Sequence, residues 1–373
     1  MTSVSTAVPF VDFRPHVQAL RAELDAAVKR VLDSGWFILG PENEAFEREL
    51  GAAFEARDAV AVANGTEAIQ LALEALGVGP GDEVVTSPLS AAFTALAVAR
   101  TGARPVFADL DPATLNVAPE AVRRALSPRT KALLPVHLYG HPCDLDPLLD
   151  LAREAGLPLI EDACQSHGAQ YKGRAVGAIS GLGALSFYPT KNLGAFGDGG
   201  AILVNDAGTA ATLRRLRNGG QSDRYRHEVA GLNSRLDEMQ AAILRVKLLH
   251  LRAWTERRRE LAALYGRELA GCAIELPQEQ PYARAVWHLY VVRHPRRDAL
   301  MAALKDRGIG TLIHYPIPLH LQPCFASLGG KPGDFPVAER AAGTILSLPM
   351  YAELTDEQAR SVARAVRECV AAL

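Results

Sequence analysis

The sequence predicts an α/β fold with a mainly parallel central sheet flanked by helices, followed by a smaller α+β domain at the C-terminal end. Three observations lead to this prediction. Between about residues 60 and 204, short β-rich runs alternate with helical patterns, which is typical of parallel strands joined by crossover helices. The runs lack strict in/out alternation, as expected for strands covered on both faces. Beyond Asn233 the pattern changes to one long helical stretch.

The alternating segment contains six predicted buried strands and the helices between them. The stretch 67–76 represents these helices, because Ile69, Leu73 and Leu76 form one apolar stripe along it. The predicted strands cover residues 83–86, 105–107, 132–136, 158–161, 184–187 and 201–204.

The C-terminal part begins with a helical pattern from residue 235 to about residue 269. This exceeds the length of roughly 20 residues at the upper end for globular helices, so the helix either breaks or links two domains. A strand over 287–292, a helix over 298–307, a Pro-rich passage at 314–323 and a final helix over 356–370 follow. We therefore predict an N-terminal segment and large domain over residues 1–245 and a small domain over residues 246–373.

Composition restricts the class of protein. The 373 residues include 40 Lys plus Arg and 42 Asp plus Glu, a net charge of −2, with no long basic run, which argues against a nucleic-acid binder. No apolar stretch approaches the roughly 18 residues that a membrane span needs, and the first residues do not resemble a secretory signal. The five cysteines show no C-x-x-C spacing, so neither a disulfide framework nor a metal site is expected. We expect a cytoplasmic protein.

The most informative segment is 186–200, SFYPTKNLGAFGDGG, in which Lys191 follows a predicted strand and precedes glycine-rich backbone. Apolar and aromatic neighbours desolvate a lysine, which disfavours the ammonium form and lowers its pKa. A neutral amine can attack an aldehyde and form an imine. The alternative is a loop lysine that reaches solvent.

The apolar strand that begins at residue 158 ends in Glu161 and Asp162, which places the Asp162 carboxylate at the carboxyl edge of the sheet, where open α/β folds bind ligands. If Lys191 holds pyridoxal phosphate, a carboxylate beside the ring nitrogen keeps that nitrogen protonated and the ring acts as an electron sink. The alternative is a loop aspartate that caps a helix. Since both residues follow successive strand ends, the pair is stronger evidence than either member.

A phosphate site is predicted where Asn64, Gly65 and Thr66 precede the helix 67–76. The amides of Gly65 and Thr66, the Thr66 hydroxyl and the helix dipole suit an anion, and Ser186 can add a second hydroxyl. Three alternatives remain: an Asn-Gly hairpin, a glycosylation acceptor, and ordinary N-capping of the helix by Thr66.

Six ordered blocks extend this pattern over nearly the whole chain: ANGTEA (63–68), GARPVF (102–107), PVHLYG (135–140), EDACQSHG (161–168), SFYPTKNLGAFGDGG (186–200) and GLNSRLD (231–237). Together they resemble the sugar aminotransferases of the DegT/DnrJ/EryC1/StrS family, pyridoxal-phosphate enzymes of the aspartate-aminotransferase (type I) fold. The segments around 136–140 and 235–248 are most similar to members that aminate C3 of a dTDP-linked keto-deoxysugar.

The resemblance implies that Lys191 binds the cofactor aldehyde and shuttles the proton, that Asp162 pairs with the pyridine nitrogen, and that Gln165 lies against the ring hydroxyl. It also implies a homodimer with active sites at the subunit interface, L-glutamate as amino donor and a nucleotide-linked keto-sugar as acceptor. The implied phosphate contacts are Gly65, Thr66, Ser186 and, from the neighbouring subunit, Asn233.

Two positions depart from the family pattern. Many relatives have an aromatic residue stacked on the cofactor ring at the position of Ala91, and Phe93, two residues later, is the candidate to replace it. Cys164 stands where alanine is usual, and we expect it to be a buried small residue.

Candidate substrate residues are less sharply indicated. Arg217, Arg224 and Arg226 can meet a nucleotide diphosphate through their fork geometry, although a solvated face is the alternative. His137 and His167 are expected to be structural. The other candidates for substrate contact are Tyr188, His314, Tyr315 and His320.

Four other functions were weighed against this one. A 4-keto sugar nucleotide aminotransferase differs only in the carbon that it aminates. Related sugar dehydratases have histidine in place of the lysine, which Lys191 argues against. A non-catalytic regulator is disfavoured because the chain shows no helix-turn-helix and keeps the full cofactor set. A nucleotide-dependent oxidoreductase needs G-x-G-x-x-G after its first strand, and none stands there.

Overall fold

The computed structural model describes residues 7–373. The helices are α1 Arg14–Ala19, α2 Arg21–Ser34, α3 Pro41–Ala53, α4 Gly65–Ala75, α5 Ala92–Arg100, α6 Pro119–Ala125, α7 Leu145–Ala155, α8 Ala207–Leu216, α9 Glu238–Glu268, α10 Arg297–Asp306, α11 Pro336–Thr344 and α12 Asp356–Ala372. The strands are β1 Asp58–Val62, β2 Glu83–Thr86, β3 Arg104–Phe107, β4 Thr130–Leu134, β5 Glu161–Asp162, β6 Gln170–Tyr171, β7 Arg174–Ala175, β8 Leu182–Ser186, β9 Gly200–Val204, β10 Gln221–Asp223, β11 Arg226–His227, β12 Ala283–Arg284, β13 Tyr290–Arg293 and β14 Ile345–Leu348.

The central sheet is formed by two groups of strands, β1-β9-β8-β5 and β3-β2-β4, that meet along β4 and β5. Parallel backbone bridges between Leu133 and Leu159 and between Val136 and Asp162 join them, so that the strand order is β1-β9-β8-β5-β4-β2-β3. Only β9 runs antiparallel to its neighbours. The predicted mainly parallel sheet is therefore confirmed.

Each of the six predicted strands corresponds to a strand of this sheet, with ends shifted by up to three residues. The first strand, β1, was not predicted. Asp162 lies at the end of β5, as predicted, because the pairing of this strand with its neighbours on both sides extends to Asp162.

The long helix α9 is continuous over 31 residues and links two parts of the chain, so it does not break. Leu244 and Leu251 pack with the core around Phe46 and β8, whereas Leu261 and Tyr265 pack with the core of the C-terminal part. The division at residues 245 and 246 stays a prediction.

The C-terminal part contains the antiparallel pair β13 and β14, covered by α10 and α12. The strand predicted from residue 287 begins only at Tyr290, because Trp287 has a φ of 49°, which is incompatible with an extended strand. The final helix α12 starts with a capping box between Thr355 and Gln358. In the described range, every helix is too short or too polar to cross a membrane.

Candidate active site

A cavity of about 980 Å³ opens at the carboxyl edge of the central sheet. It contains all the predicted cofactor residues except Asn233: Gly65, Thr66, Phe93, Asp162, Gln165, Ser186 and Lys191. Of the predicted substrate residues it contains Tyr188, His314 and Tyr315, but neither Arg224 nor His320. Residues that are far apart in the sequence, from position 64 to position 315, thus line one cavity.

Asp162 presents a carboxylate to this cavity while being only 3% exposed. Its Oδ2 accepts a hydrogen bond from the Thr94 hydroxyl at 2.7 Å, and its Oδ1 accepts one from the Cys164 amide at 3.2 Å. Ser90 lies 3.1 Å from the same Thr94 hydroxyl. Among residues 7–373, no cationic side chain pairs with this carboxylate. A buried carboxylate held only by neutral donors is suited to a cationic group from outside the chain.

Lys191 lies in the loop after β8, where its amide donates to the Tyr188 carbonyl at 2.8 Å. Burial lowers the pKa of the Lys191 ammonium below its ordinary value, and the nearby Cys164 and Asp162 only partly offset this effect. The geometry favours a lysine that reaches its neutral, nucleophilic form more readily than a surface lysine does.

An anion cradle forms where α4 begins. The register of the sheet places Val62, Gly200 and Ser186 side by side, so the first turn of α4 comes to the end of β8. A Cβ on Gly65 would lie 2.6 Å from the Ser186 Cβ, and therefore only glycine permits this approach. In the described chain the amides of Gly65 and Thr66 have no hydrogen-bond partner, and they point from a helix N-terminus.

The N-cap of α4 is Asn64, whose Oδ1 accepts from the Glu67 amide at 2.9 Å. Capping by Thr66 is therefore wrong, and so is the Asn-Gly hairpin, since Gly65 is the first helical residue. The Thr66 hydroxyl is left for a ligand.

Gln165 is fixed on two sides at the floor of the cavity. Its Oε1 accepts from the Tyr139 amide at 2.8 Å, and its Nε2 donates to the Tyr315 hydroxyl at 3.2 Å. Phe93 and Tyr188 lie at the opening and are 62% and 54% exposed. Cys164, expected as a buried small residue, is half-buried and lines the cavity.

Three predicted substrate contacts are not supported by this geometry. His320 is buried away from the cavity, against Phe335, and bonds Glu339 at 3.1 Å, which corrects its prediction as a substrate residue. Arg217 is buried in an ion pair with Glu47 and holds the sheet instead of a diphosphate. Arg224 is exposed on the hairpin β10–β11, outside the cavity.

Arg226 lies on the same hairpin and is 3.7 Å from Glu228. Asn233 is exposed and does not line the cavity of its own chain, so its contribution to a neighbouring subunit stays a prediction.

The two histidines expected to be structural are both buried. His137 accepts the Cys143 amide at Nδ1 (2.9 Å), so its Nε2 carries the proton and donates to Glu161 at 3.1 Å. His167 packs against Phe54 and Phe187, and burial lowers its pKa to about 3. Neither histidine lines the cavity.

Sequence reasoning missed several polar residues of the cavity, among them Ser90, Thr94 and His288. Ser90 lies just before α5 and Thr94 in its first turn, and their hydroxyls are 3.1 Å apart. His288 reaches the cavity from the C-terminal part and bonds Asn192 at 3.2 Å. No local sequence signal marks His288, because its position depends on tertiary packing.

Comparison with known proteins identifies what this chain resembles. The model of the DegT/DnrJ/EryC1/StrS aminotransferase family matches residues 18–367. A dTDP-3-amino-3,4,6-trideoxy-alpha-D-glucose transaminase of Streptomyces venezuelae is 51% identical over 97% of this chain and 96% of its own length. A pleiotropic regulatory protein of Geobacillus stearothermophilus is 46% identical over 97% of this chain and 98% of its own length.

Among solved structures, the X-ray crystal structure of S. venezuelae DesV in complex with a ketimine intermediate has a TM-score of 0.96 at 51% identity, covering 98% of both chains. This agreement confirms the predicted pyridoxal-phosphate-dependent transferase (type I) fold.

Proposed function

The chain belongs to the DegT/DnrJ/EryC1/StrS aminotransferase family, and on this premise we propose that it transfers an amino group from L-glutamate to a nucleotide-linked keto-deoxysugar, with pyridoxal 5'-phosphate as cofactor. The acceptor that fits best is a dTDP-3-keto-6-deoxyhexose. The 3-amino sugar product named for the S. venezuelae relative supports amination at C3 rather than at C4.

The observation that carries this proposal is the buried carboxylate of Asp162 at the edge of a cavity that also contains Lys191. Its hydrogen bonds come from Thr94 and the Cys164 amide, and within the described residues it forms no ion pair, although its charge acts on Lys191 nearby. A protonated ring nitrogen would supply a positive charge in direct contact with this carboxylate. A regulator that bound no cofactor would gain nothing from keeping this carboxylate buried.

The residues of the cavity fit pyridoxal phosphate in each of its parts. The free amides of Gly65 and Thr66 and the hydroxyls of Thr66 and Ser186 would hold the phosphate. Gln165, fixed by Tyr139 and Tyr315, would lie against the ring hydroxyl. Phe93 would cover one face of the ring.

When bound, pyridoxal phosphate supplies an electron sink for removal of the proton beside the donor nitrogen. Lys191 Nζ would take this proton and return it to the cofactor carbon on the other side of the same nitrogen, and a lowered pKa suits it for both transfers. Asp162 would keep the ring nitrogen protonated, because Thr94 fixes its carboxylate in place. Tyr188 and His314 line the open side and would contact the sugar.

The functional unit would be a homodimer with the active sites at the interface. Trp36 and Phe37 are 58% and 51% exposed in the single chain, and large exposed apolar side chains mark protein interfaces. Asn233 is exposed outside its own cavity, where it can reach the phosphate of a neighbouring site. The free state of all five cysteines is consistent with a reducing, cytoplasmic compartment.

The proposal is tested by incubating purified protein with pyridoxal phosphate, L-glutamate and a panel of 3-keto and 4-keto nucleotide sugars, with mass detection of the products. We expect 2-oxoglutarate and a 3-amino sugar nucleotide to form in equal amounts. Amination of only the 4-keto sugars would move the assignment to C4. A protein that binds no cofactor and turns over none of these substrates would support the regulatory alternative instead.

A further inference from the structure

A second, smaller cavity lies on the other side of the lysine loop. Thr190 and Lys191 line both cavities, so the second cavity adjoins the first at the reactive lysine. Its volume is about 40 Å³, room for about three water molecules, since each needs about 10–15 Å³. A carboxylate, with three heavy atoms, matches this size, whereas a diphosphate does not.

Two buried cations line this second cavity in addition to Lys191. Lys247 donates one of its three N–H groups to the Gly194 carbonyl at 2.6 Å and lies 4.0 Å from the centre of the Phe196 ring. Arg258 bonds backbone carbonyls only through Nη1, including that of Met350 at 2.8 Å. Its Nε and Nη2, and two N–H groups of Lys247, have no hydrogen-bond partner in residues 7–373.

The anions of the cavity offset these cations only in part. The negative charge of Glu353 raises the pKa of Lys247 and of Arg258, but the effect of burial, which lowers both, is larger. Glu353 itself pairs with His16 at 2.7 Å, and Asp12 pairs with Arg14 at the same distance. No carboxylate of the described chain lies within ion-pair distance of Lys247 or Arg258.

Buried, unpaired cations are costly, and two further observations indicate that a ligand is missing. Burial lowers the pKa of Lys247 to about 8 and that of Arg258 to about 10. The Nε2 atom of His16, which lines the same cavity, is buried without a hydrogen-bond partner.

We propose that this cavity binds a carboxylate of the amino donor, through Lys247 Nζ, the free edge of Arg258 and His16. This inference rests on the proposed function, because it assigns the place where a dicarboxylic donor is held next to Lys191. Lys247 and Arg258 then select a donor with a second carboxylate over a neutral amino acid.

The test measures binding of glutarate, a dicarboxylate that lacks an amine, to the pyridoxal-phosphate-loaded protein by titration calorimetry. K247Q should weaken glutarate binding about tenfold or more, because it removes a charge-assisted hydrogen bond. K247R, which keeps the charge, should restore most of the affinity. E353Q removes the anion whose charge acts on Lys247 and Arg258, and it should tighten glutarate binding by about threefold or more.

The matched control is K172Q, since Lys172 is exposed and paired with Asp146 far from either cavity. It should bind glutarate as the parent does. Equal affinity in K247Q and the parent, no glutarate binding by the parent, or equally strong competition by inorganic phosphate would overturn the proposal. If K247Q does not fold, an unchanged affinity in E353Q overturns it.

Different results would refute the donor-carboxylate site and the proposed function. If the parent protein forms 2-oxoglutarate from L-glutamate but K247Q binds glutarate normally, only the donor site is wrong. If the parent forms none, the proposed function itself is wrong.

Discussion

Neutralising the two neighbouring carboxylates on β5 should change the free energy of unfolding in opposite directions. Glu161 and Asp162 are both buried, and alternate strand residues face opposite sides of the sheet. Glu161 accepts four hydrogen bonds: from His137 Nε2 (3.1 Å), the Gly177 amide (2.7 Å), and the amide and hydroxyl of Ser180 (2.8 and 3.0 Å). It is a structural carboxylate, whereas we propose that Asp162 is a functional one.

The magnitudes follow from these contacts. A glutamine at position 161 turns an NH₂ group toward donors and leaves about two of them unsatisfied, at about 1–3 kcal/mol each. E161Q should therefore lower the free energy of unfolding by about 2–6 kcal/mol. An asparagine at position 162 can keep both bonds, since its Oδ1 accepts from the Cys164 amide and its Nδ2 donates to the Thr94 hydroxyl, which then donates to Ser90. It also removes a buried charge that forms no ion pair. D162N should therefore raise the free energy of unfolding of the cofactor-free protein by about 1–3 kcal/mol.

The assay is urea unfolding of cofactor-free protein at pH 7, followed by tryptophan fluorescence, together with transamination of the loaded protein. D162N should be stable and inactive, since an amide holds no proton on the ring nitrogen. A D162N protein that is destabilised as much as E161Q would refute the distinction, because Asp162 would then be part of the scaffold.

Three further predictions concern the same site. Lys191→Ala should fold normally, because Lys191 forms no ion pair in the described chain. The variant should lose the visible absorbance of the bound cofactor and all turnover. Retained transamination would contradict the role of Lys191. Gly65→Ala should weaken pyridoxal-phosphate binding about tenfold or more in a fluorescence titration, because the new Cβ lies 2.6 Å from the Ser186 Cβ. The control Gly79→Ala should leave this binding unchanged, because its new Cβ meets only one atom, at 3.9 Å. Hydrogen bonds lower the pKa of Glu161 below 4.5 in spite of burial, so its stabilisation should be complete above pH 4.5 and lost as the pH falls through the folded-state value. The difference in unfolding free energy between E161Q and the parent should then shrink from pH 7 to pH 3, and a constant difference would contradict this.

The fold could be predicted because strands that are buried on both faces have short, continuously apolar sequences. Strand β8 and strand β9 are apolar and short, and the helices between the strands have regular apolar stripes. The strand β1 was missed although four of its five residues are buried, since its sequence DAVAV is too short to be distinguished from the start of a helix.

The site could be predicted where strand ends fix a residue, and not where long-range packing does. Asp162 is the last residue of β5, Lys191 follows β8, and these two strands are adjacent and parallel, so both residues line one cavity. The sequence did not show that Arg217 is unavailable to a diphosphate, because Glu47, which pairs with it in the core, lies 170 residues earlier. His288 was missed for the same reason: nothing in its neighbourhood along the chain indicates that it reaches the cavity.

The proposed function depends most on the identity of the lysine that holds the cofactor. Borohydride reduction of the protein loaded with pyridoxal phosphate, followed by peptide mass spectrometry, locates that lysine directly. We predict a single pyridoxyl adduct on Lys191. An adduct on Lys247, the other buried lysine next to the loop, or no adduct on any lysine, would contradict the account.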